Sequence, residues 1–94
     1  MEKQQYVIIL RPAPNYGNPD TEKIVNQHFN YLKDLLKKGI LTMAGRFLDV
    51  LFGLVLIEVD SKDEAARVMD NDPAVKANIF HAELYQWRVA LKSD

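Results

Sequence analysis

Short unbroken apolar blocks alternate with longer stretches in which apolar residues recur every three or four positions. Tyr6-Val7-Ile8-Ile9-Leu10 is apolar and rich in β-branched residues, the pattern of a strand covered on both faces. The next stretch, Arg11-Pro12-Ala13-Pro14-Asn15-Tyr16-Gly17-Asn18-Pro19, holds three prolines, which exclude helix and central strand and predict a loop. Asp20 or Thr21 is placed to cap a helix that has Glu22 in its first turn. Val25, His28, Phe29, Leu32, Leu35 and Leu36 then share one apolar stripe at i, i+3, i+4, i+7 spacing. Lys37 and Lys38 suit the end of that helix, and Gly39 suits the residue after it.

Residues 40–45 and 53–59 read as a second and a third strand. Residues 46–52 join them as a hairpin, unusually apolar because it contains Phe47, Leu48, Val50, Leu51 and Phe52. Ser61-Lys62-Asp63-Glu64 is a capping box: the serine oxygen accepts from the Glu64 amide and the Glu64 side chain reaches back. The helix it opens buries Ala65, Val68 and Met69 and ends near Asn71. Pro73 pushes Asp72 out of the α region and is preorganised to start another helical turn over residues 74–77. Residues 79–90 close the chain as a long fourth strand. The order β-α-β-β-α-β is the ferredoxin-like split arrangement of the α+β class: a four-stranded antiparallel sheet with both helices on one face. Strands one and three are apolar on both sides, so a second copy is the expected cover for the helix-free face, giving a homodimer.

Composition narrows the picture. A chain of 94 residues forms a single domain, residues 1–94, and 48% apolar with 27% charged residues excludes intrinsic disorder. Net charge is −1, from 12 Lys and Arg against 13 Asp and Glu, so the basic excess of a nucleic-acid binder is missing and no nucleic-acid partner is expected. No apolar run approaches the ~20 residues of a membrane span, and the start lacks a signal-peptide core, so the expected setting is cytoplasmic with no membrane partner. The absence of cysteine removes disulfides, thiol nucleophiles and zinc–thiolate sites together.

The remaining chemistry is sparse. The glycines are too scattered for a phosphate-cradling loop, and the serines, Ser61 and Ser93, are a cap and a chain-end residue rather than nucleophiles. His28 and His81 lack metal-ligand spacing, so neither metal nor cofactor is expected. His28 stands in the apolar stripe among Val25, Phe29 and Leu32. It reads either as a half-buried histidine with one structural hydrogen bond or as a general acid/base whose tautomer a partner must fix. Asp72 is the candidate partner, and its other reading is the N-cap of the turn begun by Pro73; a carboxylate has lone pairs for both.

Topology supports their proximity. The start of the first helix, the end of the second, the proline-rich loop and the 46–52 hairpin all fall at one end of the sheet. His28 lies ~10 Å down its helix, within reach of Asp72. Arg11 and Arg46 end strands one and two at that same edge, either to hold an anionic substrate or as solvated charges. Glu22, Asp49 and Asp70 read as surface charges. Tyr31, Tyr85 and Trp87 read as packing or dimer-interface residues.

Four segments together resemble a known family: His28-Phe29-Asn30-Tyr31-Leu32-Lys33, Gly39-Ile40-Leu41-Thr42-Met43-Ala44-Gly45, Asn71-Asp72-Pro73-Ala74-Val75-Lys76-Ala77, and Ala82-Glu83-Leu84-Tyr85-Gln86-Trp87-Arg88. In this order and spacing they resemble the YCII-related (YciI-like) domain proteins of the dimeric α+β barrel group. The resemblance implies a ferredoxin-like dimer with a His-Asp active-site pair, which falls on His28 and Asp72. The chain departs from the family where Gly45-Arg46 stands for Gly-Pro and where Asn78 stands for a glycine. The expected function is a small cofactor-independent enzyme whose His-Asp dyad moves protons in elimination, isomerisation or water addition on a small metabolite. The alternative is a non-catalytic small-ligand-binding or accessory dimeric module.

Overall fold

The computed structural model describes residues 3–93. Strand β1 (Gln4–Pro12) leads through a 3-10 turn (Pro19–Thr21) into helix α1 (Glu22–Lys37). Strands β2 (Leu41–Arg46) and β3 (Gly53–Val59) form a hairpin, followed by α2 (Lys62–Asp70), the single turn α3 (Pro73–Lys76) and β4 (Phe80–Trp87). The sheet order is β2-β3-β1-β4 with every pair antiparallel, which is the ferredoxin-like α+β arrangement.

Alternation within the central strands sorts the two faces. Tyr6, Ile8 and Leu10 of β1 and Val55, Ile57 and Val59 of β3 turn toward the helices, where Leu32 and Leu35 of α1 and Ala65 and Val68 of α2 complete one core. Ile57 has 0% exposure, so truncation to alanine would cost ~2–5 kcal/mol. The other β1 positions face away from the helices: Val7 pairs with Leu56 and Tyr85, and Ile9 pairs with Leu54 and Glu83.

Several boundaries differ from the sequence reading. Pro12 ends a central strand, which the prolines were expected to forbid. Pairing with β3 stops at Leu10, so at Pro12 the strand has only β4 beside it, and the missing N–H leaves no ladder bond unmade. Thr21 precedes α1 but does not cap it through its side chain, because its hydroxyl donates to the Asn18 carbonyl at 2.7 Å and closes the 3-10 turn. Strand β2 runs one residue later than expected, and β4 stops at Trp87 rather than near residue 90. Only His28, Leu32 and Leu35 of the α1 stripe are buried, while Phe29 and Leu36 are more than half exposed. Gly39 follows α1 with φ 77°, and Asn78 follows α3 with φ 58°. Asparagine is the side chain that best tolerates this left-handed position, so it can stand where a glycine would. Among the described residues, no helix is long and apolar enough to cross a membrane.

Candidate functional site

The sequence Asn71-Asp72-Pro73 builds one half of the site. Pro73 occupies the first position of α3 and holds Asp72 extended, at φ −63° and ψ 124°. The Asp72 side chain caps α3 by accepting the Ala74 N–H through Oδ1 at 2.9 Å. Oδ2 remains, and it lies 2.6 Å from His28 Nδ1. Both residues are 4% exposed.

The helical phase of α1 builds the other half. His28 shares the buried stripe with Leu32 and Leu35, and its ring meets Phe29 and Phe80 edge-on, each with centroids 5.1 Å apart. An ionised carboxylate can only accept, so facing one a neutral His28 ring carries its proton on Nδ1 and has its lone pair on Nε2. Nε2 has no hydrogen-bond partner among the described residues.

That ring forms part of the wall of a cavity of about 540 Å³ between α1, the sheet and the β2–β3 hairpin. His28 is part of the wall and Asp72, bonded to its Nδ1, is not, so the carboxylate stands behind the imidazole as seen from the cavity. Most of the lining is apolar, with Tyr16, Phe29, Phe52 and Phe80 supplying aromatic surface. The apolar hairpin is explained here: Val50, Leu51 and Phe52 line the cavity, and the Phe47 N–H donates to the Phe52 carbonyl at 3.0 Å to close the turn.

Arg46 lines the same cavity as His28. Arg11, expected beside the substrate, does not line this cavity but stands against one of its wall residues, Phe52. It sits at an outward position of β1, where its Nε donates to Glu83 and its guanidinium stacks 4.2 Å from the Phe52 ring centroid. Hydrogen bonds from Arg11, and then from Tyr85, hold the Glu83 carboxyl below its ordinary value.

Tyr31 is a further component of the site. Its hydroxyl donates to the Val68 carbonyl at 2.7 Å and ties α1 to the end of α2, just before Asp72. Burial first, then the nearby Asp72 charge, pushes its phenol above the usual value. Its phase on α1, three residues past His28, was the available signal. Tyr16 and Phe80 were also missed as cavity walls. They stack on each other with centroids 5.4 Å apart, a contact between a loop and a distant strand that no local pattern carries. Tyr85 and Trp87 are about half exposed within the chain. Among the described residues, no group of three His, Asp or Glu side chains could hold a metal ion.

Fold and site together define a ferredoxin-like α+β protein with a histidine–carboxylate pair beside an apolar cavity. The chain belongs to the YCII-related domain family, whose sequence profile matches residues 4–88. A curated relative, the uncharacterised protein YjpA of Bacillus subtilis (strain 168), is 32% identical over 62 residues, spanning 66% of this chain and 73% of the relative. Among solved structures, the fold is similar to that of 5-chloro-2-hydroxyhydroquinone dehydrochlorinase (TftG) from Burkholderia phenoliruptrix AC1100 in complex with 2,5-dihydroxybenzoquinone. The TM-score is 0.71 at 22% identity, with 89% of this chain and 93% of that chain covered, a likeness of fold.

Proposed function

We propose that this protein is a small-molecule enzyme in which His28 is the general base and Asp72 orients and polarises it. The observation that carries the reading is the 2.6 Å contact between His28 Nδ1 and Asp72 Oδ2 on a residue that lines the cavity; in this reading Nε2 is the acceptor offered to the substrate. The reaction best suited to this inventory is elimination. Nε2 takes an acidic proton from the substrate, the electron pair left behind forms a new double bond, and the leaving group departs as its anion. The imidazolium, stabilised by Asp72, then returns its proton to solvent or to the leaving group, for a net loss of HX.

A positioned base contributes ~10²–10⁴-fold, so the substrate must itself be activated. A halogenated hydroquinone-type ring meets that need as its keto tautomer, in which a hydroxyl proton has moved to the halogen-bearing carbon and made it tetrahedral, and the dehydrochlorinase activity named for the structural neighbour supports this choice. The aromatic walls around His28 fit a planar ring. The experiment is halide release from 5-chloro-2-hydroxyhydroquinone and related halohydroquinones, comparing the unaltered protein with His28→Asn. The expected loss is at least ~10²-fold in kcat. Equal binding of 2,5-dihydroxybenzoquinone by both proteins, with no turnover by either, would indicate the non-catalytic binding module instead.

The same proposal extends to assembly. The helix-free face, with Val7, Ile9, Leu54 and Leu56 at its centre, is expected to pack against a second copy.

A further inference from the structure

The cavity is larger than a single ring requires, and its charge is one-sided. A volume of about 540 Å³ falls mid-range for ligands of drug size, whereas ~150 Å³ already holds one benzene. Among the described residues, Lys33 and Arg46 are the only Lys, Arg, Asp or Glu side chains on its wall. Neither cation is ion-paired among the described residues, while Arg11, a few residues away in space on Phe52, is neutralised by Glu83.

Lys33 lies on α1 between Phe29 and Leu36, the two residues of the apolar stripe that the core leaves exposed. This i, i+4, i+7 run sets an apolar strip with one cation in it beside the cavity. Arg46, on the end of β2, is also exposed. The cations therefore stand where a charged group keeps part of its hydration, beside exposed apolar residues such as Phe29, Met43 and Leu51, while the buried part of the lining, Leu10, Leu32, Leu41 and Val55, lies with His28. A carboxylate buried without partners would be strongly disfavoured; one held at the rim by an ammonium and a guanidinium is not.

We infer that the cavity takes an organic carboxylate with an apolar body of more than one ring, its anionic end held by Arg46 and Lys33 and its ring system directed toward His28. This rests on the proposed His28–Asp72 site and on its base role, and it assigns the site a larger, anionic ring class than the halohydroquinones used to test that role.

The test uses three probes, 2-naphthoate, its neutral analogue 2-naphthamide, and benzoate, measured by calorimetry with NMR shifts to locate binding. The expected result is that 2-naphthoate binds at least ~10-fold tighter than either of the others, with shifts centred on Phe29 and Phe80. Arg46→Gln and Lys33→Gln should each lower that preference, the pair together should erase it, and ~1 M salt should weaken it. His28→Asn should keep it. Equal affinity for acid and amide, a preference that survives the double substitution, or no binding at ~1 mM would overturn the inference. Loss of halide release in His28→Asn with no acid preference would leave the catalytic reading standing and remove this one; an acid preference without His28-dependent turnover would do the reverse.

Discussion

Asp72 divides its carboxylate between backbone and imidazole: Oδ1 accepts the Ala74 N–H at 2.9 Å while Oδ2 lies 2.6 Å from His28 Nδ1. The residue is a helix cap and a histidine partner at once, because Pro73 fixes the extended backbone that both roles need. Changing Asp72 therefore separates folding from chemistry.

Asp72→Asn keeps an oxygen for the Ala74 cap but offers an N–H to His28. The imidazole proton is then expected to move to Nε2, abolishing the acceptor at the cavity. Stability should fall little, while activity falls by at least ~10²-fold. Asp72→Ala removes both contacts and should cost ~2 kcal/mol, the cap alone accounting for ~1 kcal/mol. Urea denaturation of the two variants checks the contrast.

His28→Leu fits the apolar stripe, and on the sequence pattern alone it would be neutral or stabilising. The structure reverses that expectation, since leucine leaves a buried carboxylate oxygen with no partner. A loss of ~1–3 kcal/mol is expected, and combining it with Asp72→Asn should recover part of it. A double-mutant cycle on denaturation free energies measures the coupling.

How much of this was legible follows from which signals are local. The Ser61 cap was, and its oxygen accepts the Glu64 N–H at 3.1 Å, although Glu64 reaches back to the Asp60 N–H rather than to Ser61. The Asp72-Pro73 punctuation was legible for the same reason. Phe29 and Leu36 share helical phase with the core, and period alone cannot separate a core stripe from a cavity wall beside it. The face that Arg11 takes was not legible, because proximity to a sheet edge does not say which face a strand residue takes. The alternation that buries Leu10 sends Arg11 to the opposite side.

Tyr31→Phe removes the hydroxyl that holds the Val68 carbonyl and should cost ~1 kcal/mol. The raised phenol value also has a pH consequence. The stability it confers is present below pH ~10 and is lost as pH rises through the raised folded value. Denaturation between pH ~8 and ~11 should show a shallower alkaline decline in Tyr31→Phe than in the unaltered protein.

Glu83 runs the other way. Its lowered value means that the stability from its contacts with Arg11 and Tyr85 is present above the ordinary carboxylate value and lost as pH falls through the folded one. Glu83→Gln should flatten the acid side of the stability profile. Because Arg11 touches the cavity only through Phe52, Arg11→Gln should change affinity for 2,5-dihydroxybenzoquinone less than Arg46→Gln does.

Assembly is checked by sedimentation equilibrium at micromolar concentration. A mass near twice 10.8 kDa is expected, and Ile9→Asp on the helix-free face should shift it toward the monomer.

The role of His28 is tested most directly by its ring nitrogens. Long-range ¹H–¹⁵N NMR, at a pH where the ring is neutral, should show Nδ1 protonated and Nε2 as the bare acceptor, with Asp72→Asn exchanging the two. A neutral His28 that carries its proton on Nε2 in the unaltered protein would have no lone pair at the cavity and would contradict its assignment as the base.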